Sequence, residues 1–396
     1  MCDLREVFIV GAARTAIGVY LGSLKSFSAP ELGGLAIKAV LERAGVAGEE
    51  VDEVIMGNVV SAGVGQAPAK QALVRGGIPH SVNSFAVNKV CGSALKAVDL
   101  AAQGIWLQER EIVVAGGMES MSQAPHLMWG GREGVKMGDI TLKDAMILDG
   151  LWCAFDGQHM GLTGEVVAEK FGASREEQDA YAVSSHQKAR HAIDKGYLKE
   201  EIVPVEVPQR KADPVVFAED EGPRPDASLE KLERLRPVFK KDGTVTAGNA
   251  SSLNDGAAAV VVASADAVRD KGLRPMARIL GVTTNALEPE MVMYAPKGAI
   301  EKLLAKVGWS IAEVDLLEIN EAFSSQLVVL LKELELDRDK VNVHGGAVAL
   351  GHPIGATGAR ILVTLIYALK HRGLDKGIAA LCLGGGDAIA MAVEMV

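Results

Sequence analysis

Cysteine is sparse in this sequence and follows no metal or disulfide pattern. Its four cysteines are Cys2, Cys91, Cys153 and Cys382, and none falls in a CxxC spacing. That argues against a zinc ribbon or a disulfide framework, and no metal is expected. Aromatic residues are also few, at 4 % of 396 residues, whereas glycine is abundant at 44. This balance favours an α/β protein with many tight strand–helix turns, because glycine accepts the backbone angles such turns need. Excess positive charge is missing too. The formal net charge is −10, and basic residues are interleaved with acids, as in Glu219, Asp220, Glu221, Arg224 and Asp226, so no nucleic-acid partner is expected. The longest apolar runs, such as Ala257 to Ala263, are far too short to span a bilayer, and no membrane role is expected. The first ten residues carry Asp3, Arg5 and Glu6 and no apolar h-region. They predict a cytoplasmic protein without a signal or transit peptide.

What is present is a duplication. Residues 36–54, AIKAVLERAGVAGEEVDEV, align without gaps on residues 299–317, AIEKLLAKVGWSIAEVDLL. Ala36, Ile37, Leu41, Gly45, Glu50, Val51 and Asp52 match Ala299, Ile300, Leu304, Gly308, Glu313, Val314 and Asp315. Strands of similar type precede the two copies, VFIVGAARTA and ARILGVTTNA. Gly-rich turns into helices follow them, and then come apolar strands ending in glycines, EIVVAGG and IAALCLGGG. Strands alternating with helices predict mainly parallel sheets buried on both faces. At roughly 100–200 residues per domain the chain holds two to three domains. We expect an N-terminal half over 1–121 plus 250–270, a C-terminal half over 271–396, and a long insertion over 122–249. Within the insertion, a helix is expected from an N-cap at Ser174 to a C-cap at Gly196.

Four positions draw attention because they sit at strand–helix turns or glycine-ended strands on one side of the expected sheets. Cys91 stands where a helix begins. The helix N-terminus favours a thiolate, making Cys91 either a nucleophile or a small buried cysteine. His352, in the matching turn of the second half, reads as a base and hydrogen-bond donor or as a turn cap. Cys382 ends an apolar strand before three glycines whose N–H groups suit an anion; by itself it reads as core. Asn320 follows the strand LLEI and reads as a ligand-side residue or an N-cap. Two thiols and an imidazole gathered there suit acyl transfer followed by proton transfer at carbon.

NKVCGSALKAV, NEAFSSQ, GGAVALGHPIGATGAR and ALCLGGGDA resemble the signature blocks of the thiolase family, and the resemblance runs through VFIVGAARTAIG, GQHMGLTGE and TVTAGNASSLNDGAAA to cover essentially the whole chain. CGS and HMG are most similar to the biosynthetic, acetoacetyl-CoA type. The resemblance implies two stacked βαβαβαββ halves in five layers, αβαβα, with a large loop domain. It implies Claisen condensation of two acetyl-CoA, or thiolysis of a 3-ketoacyl-CoA, through an acyl-cysteine, with no permanently bound cofactor and with coenzyme A and acetyl-CoA as substrates. Cys91 becomes the nucleophile, His352 its base and Cys382 the acid/base at the α-carbon. Asn320 would hold a water that forms one oxyanion hole with His352; the N–H groups of Cys91 and Gly384 would form the other. Coenzyme A contacts carry over to Leu151, His159, Met160, Arg224, Ala247, Ser251, Ala322 and Phe323. GREGVKMGDITLKDAM resembles the loop that joins two dimers into a homotetramer. Departures from the family pattern occur at Ala94, Lys231, Lys297 and His344. Other readings are a degradative thiolase of broader chain length, a ketoacyl synthase, and a non-catalytic acyl-CoA-binding protein on this fold.

Overall fold

The computed structural model describes residues 5–396, so Cys2 lies outside the described residues. Both copies of the repeat fold alike. The helix Ala29–Ala44 ends at Gly45 with φ 68°, and Ala295–Val307 ends at Gly308 with φ 74°. Each passes through a short 3₁₀ turn into a strand, Glu53–Gly57 or Leu316–Ile319. The matched aspartates do the same work. Asp52 accepts the backbone N–H of Glu111 and Ile112 at 2.7 and 2.9 Å, and Asp315 accepts those of Asp375 and Lys376 at 3.1 and 2.9 Å. Bulges at Ile9/Gly11 and Ile279/Gly281 fall at corresponding points of the leading strands.

One continuous sheet runs through both halves. Its main order is Leu316–Ile319, Lys376–Leu383, Asp387–Met395, Ala277–Ala286, Val7–Thr15, Asn254–Ser264, Ile112–Ser120, Glu53–Gly57 and Asn83–Val87. The halves meet where Phe8 and Ile9 pair with Arg278 and Ala277. Helices Ser93–Trp106 and Thr357–Arg372 fill the middle of the molecule, sharing one apolar core with inward residues of both halves, such as Ile55, Val260, Leu381 and Met391. Ala29–Ala44 covers the outer face of the first half and Ala295–Val307 that of the second. The result is the expected αβαβα layering.

The expectation of mainly parallel sheets needs correction: the sheet is mixed. Among the described strands, only Glu53–Gly57 with its two neighbours, Leu316–Ile319 with Lys376–Leu383, and the short Ile202–Val203 with Val7–Thr15 pair in parallel. Asp387–Met395 turns straight back from Lys376–Leu383 through Gly384–Gly386 and must run antiparallel to it. Asn254–Ser264 returns beside Ile112–Ser120 after the long intervening segment, again antiparallel. Apolar runs report burial on both faces, not strand direction.

Between those two strands the chain folds as helices and short hairpins. Ser174 caps the helix Arg175–Asp194 by accepting from Glu177 N. The cap at the far end is Lys195, and Gly196 follows with φ 74°. No helix among the described residues is long and apolar enough to cross a membrane.

Candidate active site

Cys91 lies just ahead of the helix Ser93–Trp106, in a turn with unusual backbone geometry. Val90 has φ 48°, rare for a β-branched residue. Local hydrogen bonds hold it there. Asn88 Oδ1 accepts Val90 N at 3.0 Å, Ser93 Oγ accepts Lys89 N at 2.9 Å, and the same hydroxyl donates to Val90 O at 2.6 Å. The turn aims the Cys91 sulfur into a cavity lined by Val90, Leu151, Met160, Met293, Ala322, Phe323, His352, Ile354, Cys382 and Gly384. Cys91, His352 and Cys382, drawn from two halves of the chain, all line this one space.

Burial pushes the Cys91 thiol up to about 11. The nearby backbone N–H groups of Gly384 and of Cys91 itself pull the other way, and Glu119 adds a smaller upward push. The thiolate expected from the helix N-terminus is therefore not the resting form. The helix starts two residues later, and in this apolar setting desolvation outweighs two N–H dipoles. Burial also raises the Cys382 thiol, and the nearby Cys91 raises it further. Cys382 Sγ stands 3.8 Å from Met293 Sδ and 3.6 Å from Gln326 Oε1.

His352 is 7 % exposed, and burial, then the charge of Arg360, lowers its pKa to about 3. Its Nδ1 lies 2.7 Å from Thr357 Oγ1, whose hydroxyl donates to Pro353 O at 2.9 Å. A hydroxyl has one proton, so Thr357 accepts from Nδ1–H and leaves Nε2 unprotonated. The turn carrying His352 is pinned from the first half. Asn254 Oδ1 accepts His352 N at 2.9 Å, while its Nδ2 donates to Gly18 O at 3.0 Å. Gly351 (φ 110°) lies against that same amide; a Cβ there would come within 2.4 Å of it. Glu119 braces the next turn: it accepts Gly355 N at 2.8 Å, Val59 N at 3.1 Å and the Asn58 amide at 2.7 Å. Burial raises Glu119 to about 7 against these bonds. Asn254, Thr357 and Glu119 were not singled out from sequence. Thr357 alone had a signal, lying five residues after His352 at a helix start.

Asn320 is fully buried and does not cap the next helix, which starts at Ser324 after Phe323. Its backbone N–H donates to Ala380 O at 2.9 Å, but neither amide atom of its side chain finds a protein partner. The neighbouring Glu321 fixes the segment by accepting from Tyr181, Ser185, Asn342 and Val348 N at 2.7–3.0 Å.

The cavity widens outward. Leu151, His159, Met160, Ala247, Ser251 and Phe323 line the next chamber, where His159 stacks on Phe239 at 4.7 Å. Ala247 leads on to an outer chamber edged by His186, Arg224, Asp226 and Lys231. Ala322 stays in the inner one. All eight positions expected to contact coenzyme A thus line three adjoining cavities that share lining residues, the outermost edged by Arg224 and the Lys231–Asp226 pair. Of the departures, Lys231 lies in that pair. Lys297 pairs with Glu301 at 2.6 Å. Ala94 is buried against Gly117. His344 is buried, stacked on Tyr197 at 5.4 Å, with neither ring nitrogen bonded.

Comparison with known proteins agrees with this geometry. Residues 7–266 match the family model described as "Thiolase, N-terminal domain", and residues 273–395 match "Thiolase, C-terminal domain". The chain is similar to the acetyl-CoA acetyltransferase of Allochromatium vinosum, with 51 % identity over 98 % of this chain and 99 % of the other. It is similar to that of Cupriavidus necator as well, with 52 % identity over 99 % and 100 %. Among solved structures, Bacillus anthracis acetyl-CoA acetyltransferase superposes with a TM-score of 0.95 at 44 % identity, over 99 % of both chains. Human mitochondrial 3-ketoacyl-CoA thiolase does so with 0.96 at 42 %, also over 99 % of both.

Proposed function

The chain belongs to the thiolase family, and from that premise we propose that it is an acetyl-CoA acetyltransferase, interconverting two acetyl-CoA with acetoacetyl-CoA and coenzyme A through an acetyl-cysteine. The observation that carries this reading is the single cavity onto which Cys91, His352, Cys382 and Gly384 all open.

In thiolysis, the unprotonated Nε2 of His352 takes the Cys91 proton as the sulfur attacks the keto carbon of acetoacetyl-CoA. The resting pair is neutral, so charge develops only during attack, where the N–H groups of Cys91 and Gly384 receive the new oxyanion. Collapse breaks the carbon–carbon bond. The departing enolate oxygen is held by protonated His352 and a water on the open amide of Asn320, and the Cys382 thiol protonates its carbon. Acetyl-CoA leaves, with Cys91 acetylated and Cys382 a thiolate. Protonated His352 returns a proton to Cys382; neutral again, it takes the proton of coenzyme A as that sulfur attacks the acetyl carbon, and Cys91 departs with the same proton. Condensation is the same path reversed, and alternating half-reactions give ping-pong kinetics. The phosphates of coenzyme A lie toward Arg224 and Lys231, and its pantetheine chain passes Leu151, His159, Met160, Ala247, Ser251, Ala322 and Phe323. We assign that contact surface chiefly to the 122–249 insertion and the catalytic groups to the two halves.

The segment 131–146 supports a dimer-of-dimers assembly. Met137 is 98 % exposed, and Trp129, Val135, Ile140 and Leu142 are exposed beside it, an apolar set suited to a second copy. A cytoplasmic setting belongs to the same proposal. A broader degradative specificity is the second reading, favoured by the equally close fit to the human 3-ketoacyl-CoA thiolase structure. Turnover on acetoacetyl-CoA against longer 3-ketoacyl-CoAs decides between the two. For the reaction itself, loss of acetoacetyl-CoA absorbance in the presence of coenzyme A is the assay. Cys91→Ala should lower the rate more than ~10³-fold; substantial retained thiolysis overturns the proposal.

A further inference from the structure

The two N–H groups that receive the oxyanion come from different halves of the chain. One belongs to the Cys91 turn and the other to the glycine turn Gly384–Gly386, and no covalent element sets their spacing. Apolar contacts bring the turns together. The Val90 side chain lies 3.2 Å from where a Cβ on Gly384 would be, and Leu383 packs so closely on Gly92 that a Cβ there would sit 1.8 Å from its Cδ2. Such contacts fix distance but leave the turns free to slide and rotate.

One directional contact also spans them. Lys89 Nζ meets Asp387 Oδ2 at 2.5 Å, across 298 positions of sequence. Each partner adjoins the group it would hold. Lys89 O accepts Gly92 N at 3.2 Å across the strained Val90, and its own N–H is tied to Ser93. Asp387 pairs with Leu383 to close the glycine turn and starts the strand Asp387–Met395. We propose that the Lys89–Asp387 pair is a positioning clamp, which sets the Gly384 N–H against the Cys91 N–H so that both point at the same oxygen. This inference rests on the acyl-transfer reading of Cys91.

The pair is partly exposed, with side chains 27 % and 39 % accessible. Pairs of that kind contribute little to folding, so its removal should leave stability nearly untouched. Placement of an oxyanion donor is a different matter, because sub-ångström errors at the reacting atoms are felt in the rate.

The test is a double-mutant cycle with Lys89→Met, Asp387→Asn and both together, read as kcat and KM for thiolysis alongside thermal midpoints. Each single variant should lose about tenfold in kcat, with KM within about twofold and an unchanged melting midpoint. The double variant should lose no more than a single one, since either change already opens the clamp. Singles at the wild-type rate overturn the proposal. So does a double loss equal to the product of the two, or a fall in kcat that tracks a fall in thermal midpoint. Trapping acetyl-Cys91 on the wild-type enzyme separates the two levels. If no such adduct forms, the functional reading fails; if it forms and the cycle shows no coupling, only the clamp fails.

Discussion

Replacing Thr357 with valine tests how the base is made. The hydroxyl accepts from His352 Nδ1–H at 2.7 Å and spends its only proton on Pro353 O. Thr357→Val keeps the shape and removes the acceptor. In this buried setting the Nδ1 proton then has no partner, a penalty of about 1–3 kcal/mol. The imidazole escapes it by moving the proton to Nε2, the nitrogen that must receive the proton of Cys91. The cost appears as a smaller population of competent tautomer. At about 1.4 kcal/mol per decade, kcat/KM should fall roughly 5- to 150-fold. Thr357→Ser retains the hydroxyl and should stay within about threefold of wild type. Steady-state thiolysis of acetoacetyl-CoA reads both variants. Valine at the wild-type rate, or serine as slow as valine, would refute the tautomer argument.

Other positions give independent checks. Asn254→Ala frees the turn of His352 by removing the bond to its N–H; kcat should drop about tenfold while acetyl-CoA binding changes little, as initial-rate kinetics would show. Gly117→Ala would place a methyl 2.0 Å from Gly355 O and 2.7 Å from the Ala94 Cβ. Such overpacking costs about 1–3 kcal/mol or more, read as a lowered denaturation midpoint together with lost activity. His344 is buried neutral, its folded pKa lowered to about 3 from an ordinary 6.5 by burial and then by Arg372 and other nearby charges. The unfolded chain binds that proton first, so the stability His344 contributes is complete above pH 6.5. It declines as pH falls toward 3, by up to about 1.4 kcal/mol per pH unit. His344→Asn should flatten the acid side of the stability profile in pH-dependent unfolding; an unchanged acid slope would rule this out.

Much of this architecture was legible in the sequence because duplication leaves the same local chemistry twice. Gly45 and Gly308 stop equivalent helices, and Asp52 and Asp315 tie equivalent strands. The site was legible through residues whose chemistry is rare, two cysteines and a histidine beside glycine-rich turns. Strand direction was not, because an apolar run is equally buried in either sense. Nor were the braces: Asn254 and Glu119 act on residues 98 and 236 positions away, and no spacing rule reaches that far. The protonation state of Cys91 escaped for a different reason. The dipole argument was sound locally, but much of the apolar wall that outweighs it comes from distant parts of the chain, such as Leu151, Met160, Met293, Phe323 and Ile354.

The account turns on a division of labour between two sulfurs, and one experiment separates them: Cys382→Ser incubated with radiolabelled acetyl-CoA, acid-quenched, and mapped by peptide. The account predicts near-stoichiometric acetyl label on the peptide containing Cys91, with formation of acetoacetyl-CoA reduced by about 10²-fold or more. Label on any other residue, or undiminished condensation by this variant, would contradict it.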